Sequence, residues 1–163
     1  MISKKFLLAI TFIANTAYAV SSFTGNVTYV SDGDTLWVQS DKGGPPLKLR
    51  IDGIDAPEIC QAGGVASRDS LVQQALHQRV QVMVKRKDTY GRGLAHIKLN
   101  GNDLGAQMVR SGHAWSYRWH RSAGPYAAEE AVARQERLGL FSIARPEIPR
   151  DFRKRHGSCH IKP

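Results

Sequence analysis

Leu47, Leu49 and Ile51 alternate with Lys48, Arg50 and Asp52. This period of two predicts a strand with one apolar and one polar face, running over residues 48–54. Gly53 interrupts the alternation, as glycine does where a strand bends, and Pro57 cannot donate to a ladder, so the strand is over by then. The same alternation predicts strands over residues 26–30, 35–39, 80–86 and 93–99. Asp32-Gly33, residues 88–92 and Asn100-Gly101 supply turns, and residues 40–46, with two glycines and two prolines, a loop. A helical period appears over residues 66–77 (Leu71, Ala75 and Leu76 on one side) and 103–111 (Leu104, Met108 and Val109 inward, Gly112 after it). A third helix is predicted over residues 125–138, with proline at its start and Gly139 past its end. From Ala144 onward the chain is rich in Pro and Arg and predicts an extended surface tail.

Three strands, a helix, two strands and two helices do not alternate in the way that builds a parallel sheet. They predict a mainly β fold with helices (α+β): a five-stranded barrel of the oligonucleotide-binding (OB) type with three α-helices.

Composition changes this picture at the ends. Met1-Ile-Ser-Lys-Lys5, the apolar run 6–14 and Ala17-Tyr18-Ala19 have the layout of a secretory signal peptide, residues 1–19, and the run is too short for a membrane span. The expected organisation is therefore a signal, a barrel domain over residues 20–143 and a basic tail over residues 144–163. The mature protein is expected to be monomeric and without a membrane anchor in an exported compartment, periplasm or medium. The formal net charge of +9 falls to +7 when Lys4 and Lys5 leave with the signal. Such charge suits nucleic acid, an anionic membrane surface or an acidic polysaccharide, and does not choose among them. Export permits a disulfide between the two cysteines, Cys60 and Cys159, which would tie the tail to the loop after Glu58; two unpaired thiols are the other reading. The usual paired Cys/His spacing of a zinc site is missing.

The candidate chemistry lies at strand ends: Asp34, Arg50, Asp55, Glu58 and Arg92. Two aspartates without His or Cys partners are oxygen ligands for a hard cation, calcium or magnesium. Two arginines offer planar forks that match phosphate oxygens and could neutralise charge in a transition state. A third carboxylate could deprotonate a water. Taken singly, each residue has a plain structural reading, as turn cap, solvated strand residue or polar loop. Together they form the set that metal-assisted phosphodiester hydrolysis requires.

Asp32-Gly-Asp-Thr35, Arg50-Ile-Asp-Gly-Ile-Asp-Ala-Pro-Glu58 and Asp88-Thr-Tyr-Gly-Arg-Gly-Leu94 resemble the three signature segments of the staphylococcal nuclease family, in the family's order. The resemblance continues through residues 104–112 and 139–141. It implies calcium-dependent hydrolysis of DNA and RNA leaving 3′-phosphates. Asp34 and Asp55 would bind Ca2+ through carboxylates and Ala56 through its backbone carbonyl. Arg50 and Arg92 would bind phosphate, Glu58 would be the general base, and Tyr90 would lie near the phosphate. Tyr117 and Trp119 fall where the family places base-stacking aromatics, with Trp115 open to a core role. Asp52 departs from the family's apolar or small residue and would matter only if it faced Arg50. Two other readings remain: a non-catalytic nucleic-acid-binding barrel, and an exported adaptor for anionic surfaces.

Overall fold

In the computed structural model residues 21–159 are described; residues 1–20 and 160–163, and with them the expected signal peptide, lie outside that range. Five strands close a barrel: β1 (Ser21–Val30), β2 (Thr35–Ser40), β3 (Leu47–Ile51), β5 (Arg79–Lys87) and β6 (Gly93–Leu99). Their order is β3-β2-β1-β5-β6, all antiparallel, and a parallel β3–β6 pairing completes the closure. Closure removes the exposed edges that an open sheet of this size would present.

The alternation read from the sequence is the inside of this barrel. Leu36, Val38, Leu49, Ile51, Val80, Val82, Ala95 and Ile97 are all buried in one core. Helix α1 (Gly64–Ala75) adds Leu71 and Ala75, and α2 (Leu104–Arg110) adds Leu104, Met108 and Val109. Truncating a fully buried leucine such as Leu36 to alanine typically costs about 2–5 kcal/mol. Helix α3 (Ala127–Gln135) and a 3-10 turn at Gly139–Ser142 pack outside the barrel around Trp115, Ala133 and Phe141. Trp115 is thus a core residue, edge-on to Phe141 at 5.7 Å between ring centres.

Four features differ from the sequence expectation. Strand β1 begins at Ser21 rather than residue 26, because residues 21–25 are held by backbone pairing with Val80–Val84 and need no apolar alternation. The strand expected over 48–54 stops at Ile51. Gly53 adopts φ +85°, open to glycine at little cost, and Ile54–Asp55 form a separate short strand, β4, against β8 (Trp115–Ser116). Between β6 and α2 the turn at Asn100-Gly101 returns through β7 (Asn102–Asp103), and the Asp103 carboxylate caps α2 by accepting from the Ala106 N–H at 3.0 Å. Finally, the tail is not extended: Pro149–His156 form helix α4. Proline in the first turn, Asp151 near the start and Arg153 to His156 at the end complement the helix dipole. Those signals were masked by the tail's Pro/Arg-rich composition.

Candidate active site

Strand register brings the three sequence segments together. The antiparallel β2–β3 pairing sets Thr35 opposite Arg50, and the parallel β3–β6 pairing sets Leu94 beside Arg50. Asp34 lies one residue before Thr35, and Arg92 two before Leu94. Asp34 therefore arrives at the end of β3, where the Ile51 N–H donates to the Asp34 carbonyl at 2.8 Å, while Arg92 enters beside the start of β3 and reaches the site through its side chain. The Gly53 turn then folds β4 back so that Asp55 meets the same point.

At the centre, Arg50 Nη2 lies 2.9 Å from Asp34 Oδ2 and 3.0 Å from Asp55 Oδ1. Asp34 is fixed further by the Thr35 hydroxyl, which donates to its Oδ1 at 2.9 Å, and by the Ala56 N–H, which donates to its Oδ2 at 3.2 Å. Arg92 Nη1 in turn donates to Thr35 Oγ1 at 3.3 Å. Arg92 Nε donates to Asp88 Oδ2 at 2.7 Å, and its guanidinium lies 5.4 Å from the ring centre of the exposed Tyr90. The Glu58 N–H donates to Gln61 Oε1 at 3.2 Å. A cavity of about 460 Å³ is lined by Asp34, Arg50, Ala56, Glu58, Tyr90, Arg92 and Tyr117, among others. Trp119 is outside that lining; it is exposed and sits edge-on to His120.

Asp52 lies on the cavity wall but not on Arg50. Its Oδ2 is 2.9 Å from Lys85 Nζ, so it does not compete for the Arg50 guanidinium. Cys60 and Cys159 are joined in a disulfide with Cα atoms 5.8 Å apart.

Negative charge is crowded here. Burial, with the adjacent Asp34 charge, pushes the Asp32 carboxyl up to about 7. Burial also raises Asp55, opposed by hydrogen bonds from Arg153 and reinforced by Asp34. Burial opposes the charge on Arg50, but Asp34, Asp55 and Asp32 together more than offset this and move its pKa up. Buried carboxylates that converge on one point are the kind of oxygen donors a hard cation takes. Among the described residues no group of three or more His, Cys, Asp or Glu side chains is arranged as a ready metal cage.

Two members of the cluster were not picked out from the sequence. Asp32, a turn residue that also opens the first signature segment, carries no site role in the sequence reading, although its spacing of two from Asp34 places both carboxylates in one tight bend, where its Oδ1 accepts from the Asp34 N–H at 3.0 Å. Arg153 comes from α4. Its guanidinium contacts both oxygens of Asp55 at 3.2 Å and Glu58 Oε1 at 3.0 Å. The cysteine pair was the one sequence signal that could have brought it here.

Comparison with known proteins points the same way. A family model described as staphylococcal nuclease homologue matches residues 48–143. The chain is 35% identical to Protein ParB of Escherichia coli over 158 residues, covering 90% of this chain and 87% of that protein. It is 35% identical to a micrococcal nuclease of Shigella flexneri, covering 83% of each chain. It is 32% identical to an uncharacterized endonuclease of Haemophilus influenzae, covering 94% of this chain and 88% of the other.

Proposed function

This chain belongs to the staphylococcal nuclease family, and from that premise we propose that it is an exported, calcium-dependent endonuclease acting on DNA and RNA with little sequence preference. The observation that carries the reading is the convergence of Asp34 and Asp55 on Arg50, beside a cavity that Asp34, Arg50, Glu58 and Arg92 line.

Asp34 and Asp55 would hold the cation through carboxylate oxygens, with the Ala56 carbonyl beside them. When bound, the ion would polarise a phosphoryl oxygen and lower the pKa of a water. Arg50 and Arg92 present forks to the phosphodiester and stabilise the charge that grows on its oxygens as the bond to water forms. Glu58 takes the proton from that water. The bond from phosphorus to the 5′ oxygen breaks, leaving a 3′-phosphate and a 5′-hydroxyl. Tyr90 flanks Arg92 at the rim, and Tyr117 offers a ring to a base. Stacking of this kind contributes about 1–3 kcal/mol per base and is indifferent to sequence. The net charge, +9 for the full chain and +7 without Lys4 and Lys5, attracts phosphate backbone without specificity.

Export is supported by the signal-like residues 1–19 and by a disulfide, which persists in oxidising compartments. The mature chain would begin near Val20, with a barrel domain to residue 143 and a tail beyond it.

The test is cleavage of plasmid DNA and of RNA by purified residues 20–163, with calcium and with chelator, beside Glu58→Ala. Calcium-dependent cleavage that collapses in Glu58→Ala while nucleic-acid binding survives is the expected result. Binding without cleavage in the unaltered protein would refute the enzymatic reading and leave a binding module.

A further inference from the structure

Asp55 has two claimants. As a calcium ligand it must offer an oxygen to the ion. Yet its Oδ1 accepts from Arg50 at 3.0 Å and from both terminal nitrogens of Arg153 at 3.2 Å, and its Oδ2 accepts from Arg153 at 3.2 Å. Arg153 Nη1 also reaches Glu58 Oε1 at 3.0 Å, so one guanidinium bridges the proposed metal ligand and the proposed base.

This guanidinium is placed, not loosely adjacent. Helix α4 is fastened at both ends to the two residues that follow the Glu58 loop. Before the helix, the Gln61 side-chain amide donates to the Glu147 carbonyl at 2.7 Å, and Pro149 at its first position is buried. After it, Cys159 is bonded to Cys60. Arg155, in the last turn, pairs with Glu147, which precedes the helix. The loop that carries Glu58 therefore also carries the clamp that brings Arg153 to it.

Charge explains why the guanidinium sits there. Asp34, Asp55 and Glu58 bring three negative charges, and Arg50 balances one. A divalent cation would neutralise the remainder, and Arg153, paired with Asp55 and Glu58, neutralises part of it.

Building on the calcium-dependent reading above, we propose that Arg153 sets the cation affinity of this site: α4 holds its guanidinium on Asp55 and Glu58, and the ion gains Asp55 by displacing it. Three arginines then serve the cavity. Arg50 and Arg92 come from the barrel, and Arg153 is delivered by the tail and released as the ion enters. Displacement gives up charge-assisted hydrogen bonds to a buried carboxylate, so removing Arg153 should tighten cation binding by roughly tenfold or more.

The experiment is calorimetric titration of Ca2+ into residues 20–163 at pH 8, for the unaltered protein, Arg153→Gln and Asp55→Asn. Circular dichroism checks that each is folded. The expected result is loss of binding in Asp55→Asn and at least about tenfold tighter binding in Arg153→Gln. Asp55→Asn defective but Arg153→Gln no tighter than the unaltered protein would overturn the role of Arg153 alone. Calcium binding unchanged by Asp55→Asn, or absent from all three proteins, would overturn the metal reading and this inference with it. Reduction of the disulfide tests the clamp: it should tighten binding in the unaltered protein and add nothing to Arg153→Gln. Equal affinity before and after reduction would refute the clamp.

Discussion

Glu130 is 2% exposed, and its carboxylate is saturated: Oε2 accepts from the Ser116 N–H at 2.9 Å, and Oε1 accepts from Arg118 Nη2 at 2.6 Å and Arg134 Nε at 2.8 Å. Glu130→Gln keeps the shape and removes one acceptor. With the amide oxygen toward the arginines, its NH2 faces the Ser116 N–H. Turned around, the NH2 faces two guanidiniums. Either way a buried donor is left against another donor, and charged hydrogen bonds become neutral. Stranding one buried group costs about 1–3 kcal/mol and weakening the charged bonds adds to it, so a loss of roughly 2–4 kcal/mol is expected. For a domain of this size that corresponds to a melting temperature lower by roughly 6–15 °C. The effect should reach the site, because Ser116 pairs with Ile54 and thereby fixes the strand that presents Asp55. Urea unfolding at an unchanged m-value measures the loss, and calcium titration should show weaker binding in the same variant. Glu129→Gln, one residue away on the outer side, serves as control and should cost less than about 1 kcal/mol. A Glu130→Gln protein as stable as that control would refute the assignment of Glu130 as the hub beneath β4 and β8.

Other outcomes follow from single contacts. Burial works to raise the pKa of Asp88, but hydrogen bonds from Arg92 and the Tyr90 N–H together outweigh it and hold the carboxyl below its ordinary value. Its stabilising contribution is therefore present above the ordinary carboxylate range and lost as pH falls through the folded-state value. The urea midpoint of the unaltered protein should drop more between pH 5 and about pH 2.5 than that of Asp88→Asn; equal drops would refute this. Trypsin should cut at Arg150, Arg153, Lys154 or Arg155 only after the disulfide is reduced, as read by mass spectrometry, and cutting of the oxidised protein at the same rate would show that α4 is not clamped. A Cβ at position 64 would collide with the Glu58 carbonyl group, so Gly64→Ala should shift the loop that carries Glu58. Turnover should fall more than about tenfold, with a stability loss of about 1–3 kcal/mol; full turnover would show that the loop yields without moving Glu58.

The barrel was legible because its inside is written locally. Alternation of Val80, Val82 and Val84, and of Leu49 and Ile51, marks strands without reference to partners, although Leu47 at the start of β3 continues the pattern and is exposed; Asp32-Gly33 and Asn100-Gly101 mark where the strands reverse. Strand ends were less legible, since pairing decides them. Ser21 to Gly25 form a strand because β5 lies alongside, and Ile54 leaves β3 because β8 offers another partner. The five charged residues of the site were readable as a chemically coherent set at strand ends, and the family resemblance gave each its role. Period and composition alone leave Arg50 on a polar strand face, as any solvated arginine would be.

Glu130 and Arg153 show why the rest was hidden. Glu130 sits in a helix among Ala, Glu and Arg, and by pattern belongs to the outer face; it is buried because Arg118 and Arg134 cover its charge and β8 supplies a donor. Nothing within a helical turn of it in sequence signals that burial. Arg153 meets carboxylates 95 and 98 residues away, in a tail whose composition matches solubilising segments. One constraint could have bridged that distance. If Cys159 bonds Cys60, residue 153 is tethered six residues from the Glu58 loop, at most about 20 Å along an extended chain and about 9 Å along a helix. A cation on that tether, facing a loop with one buried and one half-buried carboxylate and a net negative balance, has one strong electrostatic destination. The position of Arg153 thus follows from the disulfide, and the disulfide is the chemical handle by which its hold on Asp55 can be tested.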